Sequence, residues 1–320
     1  MYSNSSATLV RTEPLSHRPA GIWWGLLGVA AFSFTVPFTK VAVEGMSPLF
    51  IGSGRAVLAA LLAALALGIM RQRLPCGIQW ARLAIIAGGV VVGFPVLTSY
   101  ALTAVPASHA AVVTALLPAA TATAAVLRGH ERPPLVFWIM SGIGAAVTVA
   151  FAAFTSDGLG GFSWPDLLLL GAVAAGAIGY AEGGLLARDL GSWQVISWAL
   201  VVAAPLMVLL TSIAMVEQPP AASPVQWAAF AYLGVISMFL GFFAWYRGLA
   251  IGPMTRVSQI QLVQPVLTIA WAALLLGENL TWPTVVGGLA VVLCAGVAVR
   301  TRAGTRSASR SRPRTVSPNS

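Results

Sequence analysis

Charged side chains are scarce in this chain, since only 8% of its 320 residues are Asp, Glu, Lys or Arg. Soluble domains carry roughly 25%. With 58% hydrophobic residues and a mean hydropathy of +0.85, a water-soluble fold would have too few polar groups to cover its own surface. The scarcity therefore excludes a soluble globular protein and indicates that most of the surface faces lipid.

Residues that support catalysis or metal binding are equally sparse. The two cysteines, Cys76 and Cys294, fall in a predicted loop and a predicted helix that are not expected to meet, and they show no metal-type spacing. None of the three histidines, His17, His109 and His130, pairs with a carboxylate at a metal or triad spacing. A phosphate-binding loop motif is absent too. The sequence thus predicts no catalytic residue, no metal and no cofactor, and it disfavours an enzyme or an ATP-driven pump.

The first 20 residues lack the apolar core of a cleavable signal, so the first apolar helix is expected to stay as an anchor. The net charge of +9 lies in the tails and on one set of loops, which argues against a nucleic-acid partner. The tail 301–320 is rich in Arg, Ser and Pro and is expected to be disordered. We expect it to contact anionic lipid headgroups.

Ten apolar runs separated by turn residues predict ten transmembrane helices. Lipid leaves backbone groups no other partner, so helices are the expected structure of such runs. The predicted spans are 21–43, 48–70, 79–103, 107–127, 134–154, 165–187, 193–215, 226–250, 254–276 and 281–299. The fold class predicted is an all-α integral membrane protein.

Basic residues alternate between connections, as the positive-inside rule requires. With the N-terminal tail 1–20 in the cytoplasm, every second connection carries arginine, whereas the others carry Glu44, Asp157, Glu217 and Glu278. Lys40, at a helix end, is the one departure. We therefore expect a multi-pass protein of the plasma (inner) membrane with both termini in the cytoplasm.

An internal repeat relates the two halves. A shift of 147 positions matches Pro106 to Pro253, Pro118 to Pro265 and Glu131 to Glu278, among other pairs. Two units, 21–154 and 165–300, would each hold five helices. Because five is odd, the second unit would be inverted, a construction used by many secondary transporters.

The runs ALLPAATATAAVLRGHERP, QLVQPVLTIAWAALLLGENLTWPTVVGGLAVVLCAGVAV and WWGLLGVAAFSFTVPFTKVAV resemble the EamA family of the drug/metabolite transporter superfamily. The resemblance covers roughly residues 20 to 300. Gly277-Glu278 is typical of the family, whereas Gly129-His130-Glu131 departs from it. The resemblance implies ten helices, cytoplasmic termini and transport of amino acids, metabolites or drugs, usually outward.

Placing a charged side chain at membrane depth costs at least about 2.5–3.5 kcal/mol of insertion free energy. Each such residue is therefore expected to have a structural or functional role. Arg55 would hold an acidic group of a substrate bidentately, or else make a structural pair or clamp carbonyls. Glu182 would carry a proton or meet an amine, or else pair with Arg247. Lys40 is a cavity candidate whose alternative is an interface pair with Glu44.

Polar stripes in the predicted fourth and ninth helices are the other candidates. They consist of Thr114, Pro118 and Thr121 in one helix and Ser258, Gln261, Gln264, Pro265 and Thr268 in the other. The stripes would line a central cavity from both halves, or else bind packed helices together. Tyr100 and Trp245 would form cavity walls, or else belong to an interfacial aromatic belt. Glu131 and Glu278 are expected to be structural, each at the positive end of the helix that follows it.

Together these features predict a secondary transporter that exports a small metabolite, amino acid or drug by alternating access, with protons as the favoured coupling ion. A passive channel is the alternative, and an intramembrane enzyme comes third. The expected partners are a small-molecule substrate and membrane lipid, in a monomer or homodimer. The predicted substrate-binding residues are Lys40, Arg55, Tyr100, Thr114, Thr121, Glu182, Trp245, Gln261, Gln264 and Thr268.

Overall fold

The structure is a computed structural model that describes residues 20–129, 134–155, 163–251 and 260–310. Its first half contains α1 (Ala20–Ser33), α2 (Thr35–Ala42), α3 (Pro48–Ile69), α4 (Gln79–Ile86), α5 (Phe94–Ala101), α6 (Ala107–Thr114), α7 (Leu117–Gly129) and α8 (Leu135–Thr155). Its second half contains α9 (Trp164–Leu190), α10 (Ser192–Glu217), α11 (Pro224–Tyr232), α12 (Gly241–Ile251), α13 (Gln264–Leu276) and α14 (Trp282–Arg310). No β-strand occurs in these described ranges.

Within the described residues, seven helical runs are long and apolar enough to cross a membrane. They are Gly21–Ala42, Pro48–Ile69, Gln79–Ala101, Ala107–Arg128, Trp164–Ala187, Ser192–Glu217 and Pro224–Gly248. Three shorter apolar helices cover Leu135–Phe151, Gln261–Leu276 and Trp282–Val297. Only 28% of the most apolar window of α10 is buried inside the protein, so most side chains of that window lie at the protein surface. The described part of the chain is all-helical, and the length and apolar composition of its helices are those of a multi-pass membrane protein.

Two helices begin at the Ser-Pro pairs that mark breaks in the sequence. The Ser47 hydroxyl accepts a hydrogen bond from the Phe50 amide at the start of α3. Ser223 accepts from the Gln226 amide at the start of α11 in the same way. Proline suits the first helical position because the amide it lacks would have no partner there.

The helices are interrupted at equivalent points in the two halves. Pro118 has no amide hydrogen to donate to the Thr114 carbonyl, and the helix breaks between α6 and α7. Pro265 likewise has no amide hydrogen to donate to the Gln261 carbonyl. A short 3-10 stretch, Gln261–Val263, precedes α13 at this point. Thr114 and Gln261 are 147 positions apart, as are the two prolines.

Two π-helical segments follow the same repeat. Ala87–Gly93 joins α4 to α5, and Leu233–Leu240 joins α11 to α12. Their last residues are again 147 positions apart. The repeat seen in the sequence therefore extends to these π-helical segments, which no residue pattern predicted.

Most helix contacts join one half to the other. In the described structure, α3 packs on α10, α6 on α13 and α8 on α14, so matching helices of the two halves pair. α1 packs on α12, and α9 packs on α4, α5 and the π-helical segment between them. The largest apolar core lies among α3, α4, α9, α10 and α12.

The two ends of this bundle differ in charge. One end, here called the basic end, carries Arg71, Arg73, Arg82 and Arg128, where α3 and α7 end and α4 begins. The opposite end, here called the acidic end, carries Glu44, Asp166, Glu217 and Glu278 together with Lys40 and His109. At the acidic end the Ala221 amide donates to the Gly45 carbonyl at 3.1 Å, which ties the connections after α10 and α2 together.

The structure departs from the sequence-based expectations at the C-terminus. The tail was expected to be disordered from Thr301, but α14 continues to Arg310. Glu131, Asp157, Ser258 and the tail beyond Arg310 lie outside the described residues.

Close contact between the halves requires glycine at Gly89, in the first π-helical segment. A Cβ atom there would lie 2.3 Å from the Ala175 carbonyl oxygen of α9. A backbone atom cannot turn away as a flexible side chain does. At the neighbouring Gly88, a Cβ atom would meet nothing within 4 Å.

We therefore expect Gly89→Ala to lower the thermal unfolding midpoint of the detergent-purified protein and its abundance in the membrane. Gly88→Ala is the matched control, and it should be neutral or stabilising by about 0.5–1 kcal/mol, the usual gain of alanine over glycine in a helix. Equal midpoints for the two variants would contradict this account of the packing.

Candidate functional site

A cavity lies between the two halves, where the helices are interrupted. The space open to the centre of a water molecule is about 50 Å³, which is room for a few waters. The described residues that line it are Phe32, Thr35, Val36, Arg55, Val90, Phe94, Pro95, Thr114, Leu117, Pro118, Gly176, Tyr180, Ser237, Met238, Phe242, Gln261, Gln264, Pro265 and Thr268. Both halves contribute, and both proline breaks are among the lining residues.

Arg55 is the charged side chain of this cavity. It projects from α3, is only 2% exposed and is one of the largest fully buried side chains in the described structure. Its Nε atom has no hydrogen-bond partner among the described residues. Tyr180 of α9 lines the same cavity and interacts electrostatically with it. A phenol is neutral near pH 7, so Tyr180 does not supply a counter-charge.

Polar groups of the second half complete the lining. Gln261 and Gln264 line the cavity, and neither side-chain amide makes a hydrogen bond to another described residue. Ser237 and Thr35 share a hydrogen bond of 2.7 Å between their hydroxyls. The Thr268 hydroxyl donates to the Ser33 carbonyl at 3.0 Å, next to the break between α1 and α2. The cavity thus combines one cation with uncharged donors and acceptors.

Five of the ten predicted substrate-binding residues line the cavity, namely Arg55, Thr114, Gln261, Gln264 and Thr268. Thr121 lies beyond the break on α7, and its hydroxyl has no partner among the described residues. Trp245 is buried in the main apolar core, against Gly28 of α1. Tyr100 is partly exposed near the end of α5. These last three side chains do not line the cavity described here.

Lys40 does not pair with Glu44 in the described structure. Its ammonium group donates to the Leu102 carbonyl at 2.9 Å and to the Val105 carbonyl at 3.1 Å. These carbonyls follow the end of α5, where a helix carries partial negative charge. Lys40 therefore holds two helices together at the acidic end, away from the cavity.

Glu182 is paired, but not with Arg247. Its carboxylate accepts a short hydrogen bond from Arg82 Nε and a second, of 3.0 Å, from Arg128 Nε. Arg82 also lies 3.5 Å from Asp189. Arg247 instead stacks over the Trp24 ring. The two arginines belong to the first half and Glu182 to the second, so the ion pairs join the halves at the basic end.

The acidic end has its own contacts between the halves. The Glu278 carboxylate accepts from the Ala107 and Ser108 amides at 2.7 and 2.9 Å. It therefore caps α6 of the first half and not, as its position in the sequence suggested, the helix that follows it. His109 and Asp166, both buried, lie 2.7 Å apart on α6 and α9.

Sequence patterns missed several lining residues. Thr35 and Ser237 are polar residues within apolar spans, which is a signal that was present. No sequence signal marked the aromatic lining residues, because aromatic residues are common at every depth of such helices. These residues are Phe32, Phe94, Tyr180 and Phe242. Only the fold shows which of these rings face the cavity.

Comparisons with known proteins show which family the chain belongs to. The model of the EamA-like transporter family matches residues 19–154 and again residues 163–300. The chain belongs to the EamA-like transporter family. The two matches place one copy of the EamA unit on each side of the cavity.

Relatives agree with this membership. The chain is 42% identical over 278 residues to the uncharacterized transporter YdeK of Bacillus subtilis (strain 168). The aligned region covers 86% of this chain and 96% of YdeK. A solved crystal structure shares the fold at a TM-score of 0.61, with 18% identity, over 88% of this chain and 99% of that one. This EamA protein is thus a membrane transporter by family.

If the cavity admits solutes, a cysteine in it should react with a small water-soluble thiol reagent. We expect Ser237→Cys, in a background with Cys76 and Cys294 replaced by serine and alanine, to react with a methanethiosulfonate reagent. Ser197→Cys is the matched control because Ser197 is buried in α10 away from the cavity. It should react at least about tenfold more slowly. Comparable rates would show that the cavity does not reach water.

Proposed function

We propose that this EamA protein is a secondary transporter that exports a small solute through the central cavity by alternating access. The observation that carries the proposal is a cavity between two family repeats that is lined by both and holds a buried charge. Transporter sites are typically formed at the repeat interface by interrupted helices. Thr114 and Gln261 lie at such interruptions.

The proposed topology is ten spans in two inverted five-helix halves. The seven long spans and three shorter apolar helices support that number. The pairing of α3 with α10, α6 with α13 and α8 with α14 is what a twofold axis in the membrane plane would produce. With the basic end in the cytoplasm, both termini are cytoplasmic. We place the protein in the plasma (inner) membrane.

Transport is tested by filling the cavity. Gly176 lines it, and a Cβ atom there would lie 3.1 Å from both Leu117 and Phe94. We expect Gly176→Leu to abolish transport at normal membrane abundance, because a leucine side chain occupies the space that a solute needs. Gly184→Leu, on the same helix with nothing within 4 Å of the added Cβ, is the matched control and should retain transport.

The measurement is untargeted mass spectrometry of medium and cytosol from cells that express the protein, either variant or neither. A metabolite enriched in the medium by the wild type and the control, but not by Gly176→Leu, supports export. Transport that never exceeds equilibration in purified vesicles would indicate a passive channel. A chemically altered product would indicate an enzyme. Export through Gly176→Leu would place the route elsewhere.

The ion pairs of Glu182 are proposed to hold the basic end closed in one of the two access states. Arg82 is 20% exposed and Arg128 59% exposed, so both arginines reach water once the carboxylate is neutralised. A lost contact of about 1 kcal/mol shifts a two-state equilibrium about fivefold. Loss of such a contact would change the relative populations of the two access states but would not unfold the protein.

We expect Glu182→Gln to change the initial transport rate about fivefold at unchanged membrane abundance. Asp189→Asn is the matched control, since Asp189 is an exposed carboxylate that approaches the same Arg82. It should leave the rate unchanged. If both variants transport like the wild type, the ion pairs are structural only.

Protons are the proposed coupling ion. The described spans contain two buried carboxyl groups, Asp166 and Glu182, and the sequence has no phosphate-binding loop. An imposed pH gradient should drive accumulation of the solute in purified vesicles. Accumulation that needs sodium instead would contradict this part of the proposal.

A further inference from the structure

The cavity contains a buried cation for which the described structure offers no anion. Arg55 makes no salt bridge with any described residue, and its Nε has no hydrogen-bond partner there. The described lining residues include no Asp or Glu, and the buried carboxylates of the described spans, Asp166 and Glu182, are paired elsewhere. A buried charge without a partner is strongly unfavourable. The missing partner is therefore expected to enter the cavity with the solute.

The side chains around Arg55 indicate the chemical class of that partner. A guanidinium group presents a planar fork of donors that matches a carboxylate bidentately. The hydroxyls of Thr35 and Ser237 and the free amides of Gln261 and Gln264 are uncharged. They can bind a carboxylate oxygen or another polar group but cannot neutralise a second charge. A solute cation would meet Arg55 with no anion to offset the repulsion.

The remaining wall is apolar and aromatic. Phe32, Phe94, Phe242 and Met238 line it together with Leu117. Such a surface accepts hydrocarbon and gains by excluding water from it. The lining therefore combines one charged side chain with apolar and aromatic surface.

We infer that the transported solute is a small organic anion with a carboxylate group, held by Arg55, and an uncharged apolar remainder against the phenylalanine rings. This inference rests on the proposed transport function and adds the substrate class. It excludes organic cations as substrates of the same cavity. Arg55 acts as the binding residue that selects the sign of the solute charge.

Three probes with one carbon skeleton test the inference: 3-methylbutanoate, 3-methylbutanamide and 3-methylbutylamine. Each is added to the detergent-purified full-length protein, and dissociation constants follow from the rise in thermal unfolding midpoint with ligand concentration. The carboxylate should bind at least about tenfold more tightly than the amide. The amine should not bind at about 10 mM, a concentration that fills most of a millimolar site.

Variants then assign the preference to Arg55. Arg55→Gln should bind the carboxylate and the amide alike, through loss of at least about tenfold in carboxylate affinity. Arg55→Lys keeps the charge without the planar fork and should keep part of the preference. Arg247→Gln removes an arginine that lies outside the cavity and should bind as the wild type does.

Three results would overturn the inference: an amine that binds as tightly as the carboxylate, a carboxylate preference that survives Arg55→Gln, or no binding of the carboxylate at 10 mM. The probe series on the wild type decides the question even if Arg55→Gln fails to fold. The Gly176→Leu experiment tests transport separately, so a carrier of cations or neutral solutes would keep the proposed function and lose only the substrate class.

Discussion

Lipid offers no hydrogen bonds to backbone amides and carbonyls. Irregular backbone within a span is therefore tolerated only where it is buried in protein or lines a water-filled cavity. This constraint organises the EamA protein. The breaks before Pro118 and Pro265 and the two π-helical segments all lie where the halves face each other, and residues from each of them line the cavity. α10, whose surface is mostly apolar, is assigned as one continuous helix despite Pro205 in its interior. The breaks and π-helical segments are thus concentrated around the cavity.

Among the described residues, charged side chains join the two halves at the two ends of the bundle. Glu182 joins the halves at the basic end through Arg82 and Arg128, and Glu278 joins them at the acidic end by capping α6. Each contact uses a carboxylate of the second half and donors of the first. Between the two ends, the halves meet in close backbone packing, as at Gly89 against the Ala175 carbonyl of α9.

The sequence predicted the parts of this structure that depend on local composition. Helix starts at Pro48 and Ala107 agree with the predicted spans, because proline and apolar runs act on the nearby backbone. The polar stripe with Gln261 and Thr268 reaches the cavity for the same reason. The partners of Lys40 and Glu182 were not predictable, because they depend on which helices pack together. The π-helical segments were not predictable either, since no side-chain pattern marks them.

Arg55 has no equivalent in the second half. A shift of 143 or 147 positions leads from Arg55 to Trp198 or Val202 of α10, neither of which is charged. The repeat supplies symmetric helix breaks, but the charge that would bind the solute belongs to one half. An anion bound by Arg55, as we propose, would lie against α3, so a single side chain makes the site asymmetric within a fold built from two similar halves.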